Sequence, residues 1–292
     1  MTELITRLAG RRVVASISGG KDSAAMSLWL TEQGIEHDRI FLDTGWEHEL
    51  TYQYLRGPLT AKLGAIKELR APLLMEDLIR KKGMFPSRVR RWCTDELKMK
   101  PLQEYLRLRM EDGEDVISAV GIRAAESEAR SRMLETEWSP GLDCYVWRPI
   151  LRWSEQMVID IHKRHDLAPN PLYLMGAERV GCWPCVMSRK SEIRMVADRS
   201  PERIVQIRKL EKETTEALAR RCKEDGSEQR WKELTFFQGP GADDRKDGET
   251  WPIDKAVAWS RTSRGGKQVE LFGPDPNNGC MKWGLCDTGI TK

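Results

Sequence analysis

The 292-residue chain has no uninterrupted apolar run near the roughly 20 residues that a bilayer-spanning helix requires, so a helical membrane protein is not expected. Met1 to Gly10 carries neither a long apolar stretch nor a cleavage pattern. No secretory leader is therefore expected, and the protein reads as cytoplasmic with no membrane partner. Net charge is also in short supply. Lys plus Arg number 48 against 45 Asp plus Glu, and a balance of +3 does not by itself argue for nucleic acid. Histidine is scarce, and the four present (His37, His48, His162, His165) read as polar surface or helix residues rather than ligands. No internal repeat is visible. What remains is an ordinary soluble composition, 40% hydrophobic and 32% charged, in a chain long enough for one large domain or two small ones.

Cysteine is present in an odd number, seven, which argues against a disulfide framework. Cys182 and Cys185 form C-x-x-C, and Cys280 and Cys286 make a second close pair. Paired cysteines in a reducing compartment point to metal or redox work. Four thiolates suit a [4Fe–4S] cluster or Zn²⁺, and spacing does not choose between them. Cys144 and Cys222 read as bland. Positive charge is uneven: Lys81, Lys82, Arg88, Arg90 and Arg91 form one group, and Arg189, Lys190 and Arg194 another. Either can hold phosphate or nucleic acid, and the plain alternative is a solvated face.

The first half alternates strand and helix. Arg12–Ile17, Arg39–Leu42, Ala65–Leu69 and Val116–Val120 read as strands. Ser23–Gln33, His48–Leu63, Leu73–Lys82 and Asp95–Met110 read as helices, with Gly57-Pro58 expected to break or kink the second and Pro101 a blemish in the last. Such alternation implies βαβ units and an α/β class, a Rossmann-like, mostly parallel sheet with flanking helices. The second half reads as helical, from Ser154 to His165 and from Pro201, after an Ser200 cap, to about Arg221. Gly239–Thr250 reads as a polar loop. The expected organisation is a nucleotide-binding α/β domain over 1–168 and a helical, cysteine-bearing region over 169–292.

One motif stands out. Ser18-Gly19-Gly20-Lys21-Asp22-Ser23 lies directly after the first strand and before a helix. Two glycines let backbone approach an anion, the helix start offers free N–H groups and a favourable dipole, and Ser18, Ser23 and Lys21 add donors. The Walker A spacing is absent. Asp43-Thr44-Gly45 follows the second strand, where an acidic residue can take ribose hydroxyls or hold Mg²⁺.

SGGKDS resembles the PP-loop signature of the ATP pyrophosphatase superfamily. With FLDTGWEHELTYQYL, RRWCTDELKMKP, Gly121-Ile122-Arg123-Ala124-Ala125-Glu126-Ser127 and NPLYLMGAERVGCWPC, the chain looks like the phosphoadenosine phosphosulfate (PAPS) reductase family over most of residues 11–195. The resemblance implies that Ser18 to Ser23 and Gly121 cradle the phosphates and that Asp43 lies near the nucleotide. It implies that Arg123 faces the phosphate or sulfate side and that Glu126 helps orient it. Lys21, Asp43, Arg123 and Glu126 are thus the expected catalytic group. It implies ATP, or PAPS or its unphosphorylated analogue APS, with Mg²⁺. It also favours an iron–sulfur cluster, with Cys93 a fifth ligand candidate beside Cys182, Cys185, Cys280 and Cys286. Sulfonucleotide reductases carry a C-terminal Glu-Cys-Gly-[Leu/Ile]-His segment, whereas here the tail reads Cys280-Met281-Lys282-Trp283-Gly284-Leu285-Cys286. That tail looks like those of members that activate a target with ATP for sulfur insertion. The expected activity is adenylation of a target such as DNA or tRNA, with a cysteine desulfurase or thioredoxin-like protein as sulfur or electron donor. The alternatives are a sulfonucleotide reductase that releases sulfite, and a nucleotide-binding subunit without turnover.

Overall fold

The computed structural model describes residues 10–229, 232–238 and 250–263, together with Trp283. The chain divides into two compact units whose segments interleave. One comprises Met1–Ala71, Glu96–Gly181 and Pro276–Lys292, and the other Pro72–Asp95 and Cys182–Asp275. A single cut at 168/169 is coarser than this pattern: 72–95 joins the second unit and 169–181 the first.

The first unit is built on a six-stranded sheet. Its strands are β1 (Arg11–Ser16), β2 (His37–Asp43), β3 (Lys67–Arg70), β4 (Asp115–Val120), β5 (Thr136–Ser139) and β6 (Cys144–Trp147), in the order β3-β2-β1-β4-β6-β5. All pairings are parallel except β5 with β6. The four strands expected from sequence are present; the β5–β6 hairpin is an addition at the edge. Val13, Val14 and Ala15 of β1 are all buried, as a central parallel strand covered on both faces requires.

Helices cover both faces. α1 (Lys21–Glu32) sets Ala24, Ala25 and Leu28 against Val13, Ala15 and Ile17, beside Val158 and Ile161 of α4 (Glu155–Arg164). On the other face Leu102, Tyr105 and Leu106 of α3 (Lys100–Glu111) meet Val14, Ile40 and Val116. Each fully buried Leu or Ile contributes roughly 1.5–3 kcal/mol. α1 ends where Gly34 turns left-handed at φ +68°, and α4 begins at Ser154, whose hydroxyl accepts from Met157 N at 3.2 Å.

Gly57-Pro58 does not break its helix. α2 (Glu49–Tyr54) passes into a π-helical turn, Leu55–Leu59, and then an α-helical turn, Thr60–Leu63. The wider turn takes in the ring of Pro58, and the Thr60 hydroxyl donates to the Leu55 carbonyl at 2.6 Å. The Asp95–Met110 stretch is likewise a π-helical turn, Asp95–Met99, followed by α3. That division puts Pro101 in the first turn of α3, where its missing N–H costs nothing.

The second unit is helical. It contains the helix Met75–Lys82, α6 (Lys190–Arg199), α7 (Pro201–Asp225) and α8 (Ile253–Ser260). The buried carboxylate of Glu211, on α7, accepts from Phe236 N at 2.9 Å and Ile253 N at 3.0 Å, fastening two segments to that helix. No helix of the described residues is long and apolar enough to cross a membrane. Most of the polar stretch expected over Gly239–Thr250 lies outside the described residues.

Candidate functional site

β1 lies between β2 and β4, and the chain leaves it toward β2 before returning on the other side at β4. The carboxyl ends of β1 and β4 therefore form the topological switch point, where parallel sheets leave a crevice for ligands. Both Ser18–Ser23 and Gly121–Glu126 lie there.

Gly19 takes φ +74°, and a methyl group on it would stand 2.9 Å from Thr51 Cγ2. Glycine thus supplies both the turn and the clearance. α1 begins two residues later, so its N-terminal dipole is at the loop. Hydroxyl groups hold the loop in shape. Ser18 N donates to Ser23 Oγ at 3.1 Å, Gly20 N to Ser18 Oγ at 3.3 Å, and Ser23 Oγ to the Gly20 carbonyl at 3.0 Å. Among the described residues no acceptor takes the Gly19 amide, and Ser18 is exposed.

Lys21 is buried, and its ammonium does not project freely. It lies 3.5 Å from Glu155 Oε1, 3.8 Å from Asp22 Oδ2 and 4.7 Å from the centre of the Tyr173 ring, and it donates to the Glu178 carbonyl at 3.4 Å. The backbone of Lys21 is gripped on both sides. Its N–H donates to Tyr173 Oη at 3.2 Å, and its carbonyl lies 2.9 Å from His162 Nε2. His162 is buried, not a surface residue, and burial lowers its pKa. Burial likewise raises the Tyr173 phenol above its ordinary value. Asn170 Nδ2 donates to the Gly19 carbonyl at 3.2 Å. These three braces were not singled out from sequence, although Asn170 and Tyr173 stand in the NPLYL stretch.

Across the switch point, a methyl group on Gly121 would come within 2.7 Å of Ser23 Cα. Its lack of a side chain lets the β4 loop press against the start of α1. Arg123 follows, 6% exposed, with Nε donating to the Asp22 carboxylate. Among the described residues its two Nη groups have no protein acceptor, which leaves a fixed fork suited to a tetrahedral anion. Glu126 accepts from Arg123 N at 2.8 Å and pairs with Arg130. It orients the Arg123 backbone and does not contact the guanidinium.

Asp43 is fully buried at the end of β2. Oδ1 accepts from Gly45 N at 2.8 Å and Tyr52 Oη at 2.7 Å, and Oδ2 from Arg70 Nε at 2.6 Å. Glu47 joins the network: Oε1 accepts from Thr44 Oγ1 at 2.7 Å, and Oε2 lies 3.0 Å from Tyr52 Oη. Burial, with Glu47 and Asp43 alongside, raises the Tyr52 pKa. In this arrangement Asp43 organises the loop after β2, with Glu47 in that loop and Tyr52 reaching it from α2.

A family model for the phosphoadenosine phosphosulfate reductase domain matches residues 12–188. The chain belongs to the PAPS reductase domain family. A 37.8 kDa protein of Escherichia phage 186, described as uncharacterized, is 31% identical over 89% of this chain and 91% of that protein. An uncharacterized protein of Methanocaldococcus jannaschii is 32% identical over 65% of this chain, which spans only 39% of its length. An adenosine 5'-phosphosulfate reductase of Allochromatium vinosum is 32% identical over 22% of this chain and 25% of its own. Among solved structures, a PAPS reductase of Candida auris in complex with phosphate aligns with TM-score 0.46 and 19% identity, over 59% of this chain and 81% of that one.

The expected metal ligands are only partly in view. Cys93, Cys182 and Cys185 belong to the second unit and are half-buried. Cys280 and Cys286 lie outside the described residues. Among the described residues no three His, Cys, Asp or Glu side chains come together as donors to a metal, so these alone do not make a cluster site.

The two basic groups, both in the second unit, differ. Lys190 donates to Thr262 Oγ1 and the Ser263 carbonyl, each at 2.8 Å, and Arg194 lies 3.8 Å from Asp198. In the other group, Ser87 N donates to the Arg90 carbonyl at 3.1 Å and Arg90 N to Ser87 Oγ at 3.1 Å, closing a turn with Arg88 and Val89 at its tip. Val89 is 81% exposed, and Arg88, Arg90 and Arg91 are exposed with no carboxylate partner among the described residues.

Proposed function

We propose that the protein is an ATP pyrophosphatase of the PAPS reductase domain family that adenylates a nucleic acid for sulfur incorporation. The observation that carries this reading is the Arg123 fork, buried and held by Asp22, beside the glycine loop at the β1/β4 switch point. The loop and the start of α1 bind the pyrophosphate portion of MgATP, with the metal entering on the substrate. Arg123 neutralises charge that develops as a target oxygen attacks the α-phosphorus and pyrophosphate leaves. A sulfur donor, delivered by a desulfurase-type or thioredoxin-like partner, then displaces AMP. The exposed Arg88–Arg91 turn, without a carboxylate partner among the described residues, supports a phosphodiester target. An iron–sulfur cluster would be held by four of Cys93, Cys182, Cys185, Cys280 and Cys286.

A second reading, thiol-dependent reduction of a sulfonucleotide, is favoured by the local similarity to adenosine 5'-phosphosulfate reductases. One experiment separates them. Anaerobically prepared protein is given ATP with DNA or tRNA, and in parallel PAPS or APS with a thiol. Pyrophosphate release in the first supports adenylation, and sulfite release in the second supports reduction. ATP binding with neither product, in the presence of partners, rejects both in favour of a nucleotide-binding subunit.

A further inference from the structure

Lys21 is the hinge between the glycine loop and α1, and both of its backbone polar groups are held by side chains distant in sequence. Tyr173, on α5 (Pro171–Leu174), receives its N–H, and His162, on α4, meets its carbonyl. The second imidazole nitrogen of His162 lies 3.2 Å from the Leu167 carbonyl, and a neutral ring has one N–H, which the shorter 2.9 Å contact gives to the Lys21 carbonyl. Neither ring is held by these polar contacts alone. The indole of Trp283 packs edge-on to His162 with ring centres 5.3 Å apart, and tilted against Tyr173 at 6.2 Å. Trp283 is 4% exposed and shares this cluster with Ile159.

From this geometry we propose that Trp283 is a positioning residue for the phosphate loop: it latches the His162–Tyr173 clamp onto the backbone of Lys21. Trp283 is thereby tied to the loop through two further rings and one peptide. Two ring partners, one edge-on and one tilted, also explain why a large aromatic residue suits the position, since its contacts restrict the rotamers of both clamp residues at once. The clamp grips the backbone of Lys21, while the Tyr173 ring also faces its ammonium at 4.7 Å, so the latch sets where α1 begins and how Gly19 and Gly20 present their amides. If the loop binds a nucleotide, as proposed above, linkage makes the coupling mutual: a phosphate ligand that needs this loop geometry also holds Trp283 in place.

The test uses the full-length chain without nucleotide and reads amide hydrogen exchange at Lys21, compared with Val14 and Ala15 in β1. Trp283→Ala is expected to speed exchange at Lys21 at least tenfold and leave the two β1 amides unchanged, with Trp283→Phe restoring Lys21 to within about threefold. Tyr173→Phe, which removes the acceptor itself, is expected to match Trp283→Ala at Lys21. Should Trp283→Ala not fold, Trp283→Leu, which keeps apolar burial but has no ring edges, is read by the same standard. Unchanged exchange at Lys21 overturns the latch, and so does acceleration shared equally by Lys21, Val14 and Ala15, which marks general destabilisation. A companion titration with MgATP separates this inference from the one it draws on. Absence of binding to the wild-type chain removes the nucleotide reading and leaves the exchange result standing. Wild-type binding with an unaltered Lys21 amide in Trp283→Ala removes the latch alone.

Discussion

Gly121 has no space for even one methyl group, because the atoms it would meet are backbone atoms of Asp22 and Ser23 that cannot swing aside. Gly121→Ala is therefore expected to destabilise the protein by about 1–3 kcal/mol in chemical denaturation, the usual cost of forced overpacking. Gly19→Ala meets a side chain, Thr51, as well as an unfavourable φ. Adding Thr51→Ser, which removes Cγ2 but keeps the hydroxyl that Asn170 contacts, should recover the clash with Thr51 but neither the 3.3 Å approach to Leu55 Cγ nor the φ part, about 1–2 kcal/mol. Arg123→Lys keeps the charge and loses the fork, so nucleotide affinity measured by calorimetry should fall at least tenfold, or about 1.4 kcal/mol. An unchanged affinity removes the main support for the proposed function. At this scale the sequence was readable where local residue types fix local shape, as in SGGKDS, which forms the glycine turn between β1 and α1. His162 and Tyr173 were not readable as loop braces, because their role arises only when residues more than 140 positions from Lys21 return to it.

Among the elements, those with strong patterns were legible. The β-branched core of β1 and β4 announces buried parallel strands, and Ser154 announces the start of α4. The β5–β6 hairpin was missed, since Thr136–Ser139 is largely exposed at a sheet edge and TEWS carries no buried pattern. Gly57-Pro58 reads as a break or kink, whereas the chain takes a π turn there with Leu55 and Leu59 packed into the core. Thr60→Val keeps the shape but deletes the hydrogen bond to the Leu55 carbonyl, and should cost about 1 kcal/mol by denaturant midpoint. In the helical unit, burial pushes the Glu211 carboxyl up from 4.5 to about 7. Its folded pKa exceeds the unfolded one, so the folded chain binds more protons between these values. The stability of this contact is full below pH 4.5 and falls as pH rises to 7, by up to about 3 kcal/mol. Glu211→Gln should flatten that slope in pH-dependent urea melts.

For the whole molecule, the pH profile has two opposing contributions. Burial lowers His37 from 6.5 to about 4, so this group binds more protons when unfolded, and its contribution is lost as pH falls from 6.5 toward 4. Glu211 erodes stability in the other direction over nearly the same interval. Wild-type stability should consequently vary little between pH 4.5 and 6.5 with respect to these two groups. His37→Gln should reveal the falling limb of Glu211, and Glu211→Gln the rising limb of His37, both by thermal melts across that range. A flat profile in both variants rejects the pair of assignments. The α/β class and the switch-point location were legible from strand–helix alternation, but the interleaving of the two units was not, since nothing in the local pattern of 72–95 says that its packing partners come from 182–275.

That interleaving bears on biogenesis. Residues 72–95 leave the ribosome roughly ninety residues ahead of the first of their partners, so at about 5–20 residues per second the apolar side chains of Met75, Leu78 and Ile79 wait on the order of 5–20 s for cover. Until residues 182–275 emerge, the helix Met75–Lys82 has none of the packing partners that its own unit later supplies.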